Sequence, residues 1–155
     1  KYAQWAEAYQ ENQISIVFDT MWEGTAKIAY KIAYEIHDKS PDTVVKVFNI
    51  SKADKNEVMT EVFKSKGIVV GSPTVGNGIL SSMAGWLEFL RQLKFKNKTA
   101  AAFGCYGWSG ESVKILKEQL KTAGFDVIDE EVRLLWNPKE EDTETINALV
   151  EGLLN

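Results

Sequence analysis

Cysteine and histidine are nearly absent from this sequence, and each shortage closes off a class of chemistry. The single cysteine, Cys105, excludes an internal disulfide. With no signal-peptide pattern at the start, the expected compartment is the reducing cytoplasm. The single histidine, His37, leaves almost no imidazole for zinc or iron, and the carboxylates are scattered without metal-site spacing, so no protein-bound metal is expected. No apolar run reaches the roughly 18 residues that a membrane-spanning helix needs. Basic residues are outnumbered, 18 against 22 acidic, for a formal net charge of -4. Without a basic field, nucleic acid is not an expected partner. Two phosphate-binding signatures are also missing, the G-x-G-x-x-G of dinucleotide folds and the G-x-x-x-x-G-K-S/T of nucleotide hydrolases.

What remains is ordinary globular material: 155 residues, 45% hydrophobic and 26% charged, enough for one domain with one sheet covered by helices on both sides. The chain begins at Lys1, and Tyr2, Trp5, Ala6 and Tyr9 recur at helical spacing. That stripe either packs on the domain's own sheet or belongs to a connection from an upstream domain; the pattern does not decide.

From there strands and helices alternate. Ile14-Ser15-Ile16-Val17-Phe18 is β-branched and aromatic, as a buried first strand requires. Ile28, Ala29, Ile32, Ala33 and Ile36 form the apolar face of a helix ending near Ser40-Pro41. Residues 44–50 read as a second strand, and 54–64 as a short helix broken by Gly67. Ile68-Val69-Val70 is the core of a third strand. Met83, Trp86, Leu87, Leu90 and Leu93 mark the next helix, residues 98–103 a fourth strand, and Val113, Leu116 and Leu120 a helix that stops at Gly124. A fifth strand lies within residues 125–136. Asn137, Pro138 and Glu140 suit the cap and first turn of a last helix carrying Ile146, Leu149, Val150 and Leu153. Five such alternations predict an α/β, three-layer, doubly wound sandwich with a five-stranded parallel sheet of order 2-1-3-4-5.

Three loops would then emerge at the carboxyl ends of the strands, where open sheets of this kind bind ligands. The first, Thr20, Met21, Trp22, Glu23, Gly24 and Thr25, offers hydroxyls and helix-start amides suited to a phosphate, with Lys27 beside them and Glu23 expected in solvent. The second, Ser72, Pro73, Thr74, Val75, Gly76 and Asn77, has a stiff start and small residues that could edge a planar ring. The third, Cys105, Tyr106, Gly107, Trp108, Ser109 and Gly110, offers aromatic faces that are costly to expose unless they stack on something. Each loop alone also reads as a plain turn into a helix. Cys105 has no histidine or second cysteine nearby in sequence to activate it, so it reads as a small lining residue.

Taken together, these motifs resemble the flavodoxin-like, FMN-binding domain of the flavodiiron proteins, or A-type flavoproteins. The resemblance runs from Tyr2-Ala3-Gln4-Trp5 through Asp19-Thr20-Met21-Trp22, Gly71-Ser72-Pro73-Thr74 and Ala102-Phe103-Gly104-Cys105-Tyr106-Gly107-Trp108-Ser109-Gly110 to Trp136-Asn137-Pro138. It implies a flavodoxin-like fold with FMN as cofactor: residues 20–25 on the phosphate, 72–77 on the ring edge and ribityl chain, and 105–110 on the ring's other side. Two departures from the family pattern are Gly24 and Cys105, which stand where serine is common; backbone amides supply most of such a site.

The resemblance further implies that residues 1–13 lead in from an upstream di-iron domain and that 14–155 form the flavodoxin-like domain. Electrons would come from rubredoxin or a similar donor and pass to the di-iron site of a neighbouring subunit in a head-to-tail homodimer. The di-iron ligands themselves are not found in these 155 residues. The expected function is therefore FMN-based electron transfer with no catalytic acid, base or nucleophile from the chain. Other readings are a free-standing flavodoxin-like carrier and an NAD(P)H-dependent quinone or azo reductase. A receiver-like signalling domain lacks its paired acids, since only Asp19 follows the first strand.

Overall fold

The computed structural model describes residues 11–18, 24–50, 52–72, 81–93, 98–106, 111–135 and 143–154. Its elements in chain order are β1 (Glu11–Phe18), α1 (Gly24–Lys39), β2 (Val44–Asn49), α2 (Lys55–Lys64), β3 (Ser65–Gly71), α3 (Ser81–Leu93), β4 (Thr99–Tyr106), α4 (Glu111–Thr122), β5 (Asp126–Leu135) and α5 (Thr143–Leu154). The five strands form one sheet of order β2-β1-β3-β4-β5, and every neighbouring pair is parallel. The order expected from the sequence is the order found.

Alternation along the strands divides the core into two layers. Ile14, Ile16 and Phe18 of β1, Val69 of β3, and Ala101 and Phe103 of β4 pack with Ile28, Ala29, Ile32 and Ile36 of α1 and Ile146, Leu149, Val150 and Leu153 of α5. On the opposite face, Val17, Ile68, Val70, Ala100 and Ala102 meet Val58 and Val62 of α2, Met83, Trp86, Leu87 and Leu90 of α3, and Val113, Leu116 and Leu120 of α4. Among the described residues, the apolar helical stripes read from the sequence are the faces that pack, and each fully buried branched side chain stabilises the sheet sandwich by about 1.5–3 kcal/mol.

Helix ends follow local chemistry. Asp54 caps α2, its carboxylate accepting from the amides of Asn56 (2.8 Å) and Glu57 (3.4 Å). At the end of α4, Gly124 takes φ 101°, the amide of Phe125 reaches the carbonyl of Leu120 (3.1 Å), and that of Gly124 reaches Lys121 (3.1 Å). This is the paired closure that favours glycine after a helix.

Several boundaries differ from those read in the sequence. The second helix ends at Ser65, whose extended backbone (φ -76°, ψ 144°) starts β3, so Gly67 is a strand residue and not the breaker. A Cβ there would lie 3.3 Å from the Thr99 carbonyl oxygen, a tight approach, and in ordinary contact with Leu153 Cδ1 at 3.5 Å. β1 starts at Glu11, three residues before Ile14, with an irregular register between Glu11 and Ile14 against β3. β4 continues past Phe103 to Tyr106 because Gly104, Cys105 and Tyr106 pair with Arg133, Leu134 and Leu135 of β5. The expected cap residues Asn137, Pro138 and Glu140 and the stripe of Tyr2, Trp5, Ala6 and Tyr9 lie outside the described residues.

Candidate functional site

The winding of the sheet reverses between β1 and β3. β2 lies on one side of β1, while β3, β4 and β5 follow on the other. At such a switch point the connections leave to opposite faces and open a crevice at the carboxyl ends of the strands. The last residues of the two strands flanking it, Phe18 and Gly71, are partners in register, and Gly71 is in turn the partner of Phe103. With Asn49 of β2 opposite Phe18, one row of residues crosses the sheet just below the crevice.

Gly71 is the narrow point of that row. A Cβ on it would sit 2.2 Å from Cζ, 2.3 Å from Cε2 and 2.5 Å from Cε1 of Phe103, so the phenyl ring occupies the space a side chain would need. Phe18 and Phe103 belong to the same apolar layer, and Phe18 also meets the ring of Tyr30 edge-on, with centroids 6.3 Å apart and an interplanar angle of 69°. Just beyond Gly71, Ser72 is fully buried, and its amide points to the carbonyl of Phe103 at 3.4 Å. Across the crevice the amide of Ile50 bonds the carbonyl of Phe18 at 2.8 Å.

Two of the helices starting at this edge carry a suitable field. α1 begins at Gly24 and α3 at Ser81, and neither has an acidic residue in its first turn. Among the described residues, the first turns at the positive ends of these two helix dipoles carry no carboxylate. Gly24 and Thr25 hold the first two positions of α1, while Cys105 and Tyr106 are the last two residues of β4. The structure thus brings Gly24, Thr25, Ser72, Cys105 and Tyr106 to one edge of the sheet by their backbones. Thr20, Met21, Trp22, Glu23, Pro73, Thr74, Val75, Gly76, Asn77, Gly107, Trp108, Ser109 and Gly110 lie outside the described residues. Sequence reasoning missed Phe18 and Phe103, because only the strand register shows that a glycine stands between two phenylalanines.

The opposite, amino-terminal edge holds a polar cluster of another kind. Gln13 Nε2 donates to Glu61 Oε2 (2.8 Å), to the Glu61 carbonyl (3.2 Å) and to Ser65 Oγ (3.3 Å). Ser15 Oγ and Ser65 Oγ are 2.7 Å apart, and Ser65 Oγ donates to the Glu61 carbonyl at 2.7 Å. Lys98 Nζ donates to the carbonyls of Phe63 (2.9 Å) and Ser65 (2.5 Å), and burial pushes its ammonium down to about 8. These groups close the end of α2 and the starts of β1 and β3. Among the described residues no group of histidine, cysteine and carboxylate side chains could hold a metal ion, and no helix is long and apolar enough to cross a membrane.

Comparison with known proteins agrees with this geometry. The family model for flavodoxin matches residues 16–148. The chain is 44% identical over 138 residues to an anaerobic nitric oxide reductase flavorubredoxin of Aeromonas hydrophila, covering 89% of this chain and 28% of that protein. In structure it superposes on rubredoxin oxygen:oxidoreductase from Desulfovibrio gigas with a TM-score of 0.88 and 34% identity, over 94% of this chain and 36% of that one. A flavodoxin from the domain Archaea gives a TM-score of 0.79 at 27% identity, over 89% and 93% of the two chains. The chain therefore spans less than a third of the flavorubredoxin it matches, and over most of its own length it belongs to the flavodoxin family, the FMN-binding fold, with flavorubredoxins and flavodiiron proteins among its relatives.

Proposed function

We propose that this chain is the FMN-binding, electron-transfer domain of a flavodiiron-type oxidoreductase that reduces oxygen or nitric oxide. The observation that carries the reading is the crevice between β1 and β3. Two helices without first-turn carboxylates start at its edge, and its floor includes Gly71, whose missing side chain is replaced by the ring of Phe103. A flat phosphorylated ligand fits that arrangement: the phosphate against the amides that open α1, the ring across the ends of β3 and β4.

In this reading residues 20–25 hold the phosphate, with Thr20 and Thr25 adding hydroxyls to the main-chain amides. Ser72 to Asn77 border the ring edge and ribityl chain, and Cys105 to Gly110 border the ring's other side, with Tyr106 or Trp108 stacked on it. FMN, when bound, supplies the ability to accept and release electrons one or two at a time. The chain's part is to bind it, orient it and set the field around it. The acidic balance of the chain, -4 overall, disfavours additional negative charge on the ring and lowers the potential of the last electron.

The names of the relatives, flavorubredoxin and rubredoxin oxygen:oxidoreductase, support rubredoxin or a similar small protein as the donor. In this reading the residues ahead of β1 lead from an upstream di-iron domain, whose iron centre in a partner subunit of a homodimer would receive the electrons; residues 11–13, which the sequence reading gave to that lead, belong to β1. The single cysteine is consistent with work in the cytoplasm.

Uptake of FMN by the emptied chain, followed by calorimetry, tests the core of the proposal: no heat on adding FMN would sink it. Reduction of the loaded chain by reduced rubredoxin tests the donor. A second reading, a free-standing carrier, is favoured by the near-complete coverage of the archaeal flavodoxin, 93% of that chain. The full open reading frame decides, since an upstream H-x-E-x-D-H motif belongs to the di-iron reading alone.

A further inference from the structure

We infer that Phe103 is a positioning residue for the ligand of this site, acting through Gly71. The inference rests on the FMN reading above. The two residues are cross-strand partners at the carboxyl edge, and the distal atoms of the Phe103 ring lie where a Gly71 side chain would be, 2.2–2.5 Å from its ideal Cβ. Contacts that short do not occur between real atoms, so a side chain at position 71 and the Phe103 ring in its present place exclude one another.

Its position gives the pair a role beyond filling space. Gly71 is the last residue of β3, one of the two strands that flank the reversal point, and Ser72 immediately after it is fully buried with its amide toward the Phe103 carbonyl. Phe103 is itself fully buried in the layer that also holds Phe18 and α1. Any displacement of its ring therefore moves either the end of β3 or the layer beneath α1. These are the two supports on which the ring edge and the phosphate rest in the FMN reading. A packed interior passes such a shift on, because it has no free volume in which to absorb it.

The test uses the whole chain with FMN and three variants. Gly71→Ala drives a methyl into the ring. Phe103→Leu removes Cε1, Cε2 and Cζ, the three atoms that would collide with it, and Gly71→Ala/Phe103→Leu puts the methyl where those atoms were. For Gly71→Ala we expect FMN binding, measured by flavin fluorescence quenching, to weaken about tenfold or more, with a shifted midpoint potential. In the double variant we expect both to return to within about threefold in Kd of the unmodified chain. Two results would overturn the role: Gly71→Ala binding FMN at unchanged affinity and potential, or the double variant binding as weakly as Gly71→Ala. If Gly71→Ala does not fold, Phe103→Leu is compared with the double variant. Tighter FMN binding by the double supports the role, and equal or weaker binding overturns it. Absence of FMN binding by the unmodified chain would fell the function itself and this role with it, an outcome distinct from the other two.

Discussion

The ammonium of Lys98 donates to the main-chain carbonyl of Phe63 at 2.9 Å, so a residue just ahead of β4 closes the last turn of α2. A cation at a helix carboxyl end meets the negative end of the dipole. Here it is also taken out of water, and desolvation pushes its pKa from 10.5 down to about 8.

The pH dependence follows in sign. Below about 8 Lys98 is charged in both states and the cost of burying that charge is fully present. Between about 8 and 10.5 the native chain has released the proton and the unfolded chain still holds it, so the unfolded state binds more protons and stability rises with pH. Urea unfolding midpoints across that window should therefore carry an upward contribution that Lys98→Met removes. The same slope in the variant would show that another group is responsible.

Ser65 is a second test, because its one hydroxyl proton goes to the Glu61 carbonyl at 2.7 Å. Ser15 Oγ, 2.7 Å away and fully buried, must then be the donor to Ser65 Oγ. Ser65→Ala strands that donor and should cost about 1–3 kcal/mol. Ser15→Ala removes the donor that would be stranded, so the double variant should cost less than the sum of the singles. Additive losses in chemical denaturation would mean the two hydroxyls do not share a bond.

How far the sequence went is visible in particular residues. Alternation made β1 legible: Ile14, Ile16 and Phe18 go to one layer and Val17 to the other, and the helical stripes name their own buried faces. Gly67 reads as a helix breaker in the sequence because a glycine after a helix and a glycine inside a strand look alike until the neighbouring carbonyl of Thr99 is placed beside it. Cys105 and Tyr106 read as loop residues in the sequence because their strand pairing depends on β5 extending to Leu135, a contact distant in sequence. The switch point follows from the strand order that the alternation predicts, while the three glycine-bearing segments lie largely outside the described residues. The Phe18–Gly71–Phe103 row is not legible in the sequence, since register is a property of three strands at once.

Among the described residues, Gly124 is the glycine whose conformation the backbone demands. Its φ of 101° is one that a side chain disfavours, and the amides of Gly124 and Phe125 close the end of α4. Gly124→Ala should lower stability by about 1 kcal/mol without moving FMN affinity, since the turn lies at the amino-terminal edge, away from the crevice. A variant as stable as the parent in thermal unfolding would contradict the assignment.

Lys27 offers a test of the charge logic at the crevice itself. It is exposed on the fourth position of α1, in the turn whose amides face the proposed phosphate, and no carboxylate occupies that first turn. Lys27→Glu replaces a favourable charge with an opposed one and partly cancels the helix dipole. At an exposed site each of these two terms is worth about 0.3–1 kcal/mol, so FMN should bind on the order of three- to thirtyfold more weakly at low salt. Riboflavin, which shares the ring and lacks the phosphate, should bind the variant and the parent alike. Raising the ionic strength should shrink the difference for FMN, because exposed charges are screened beyond about 10 Å at 0.1 M salt. Titrating both flavins into both proteins at two salt concentrations separates the alternatives: equal losses for FMN and riboflavin would place the phosphate elsewhere, and a loss confined to FMN that fades with salt places it at the start of α1.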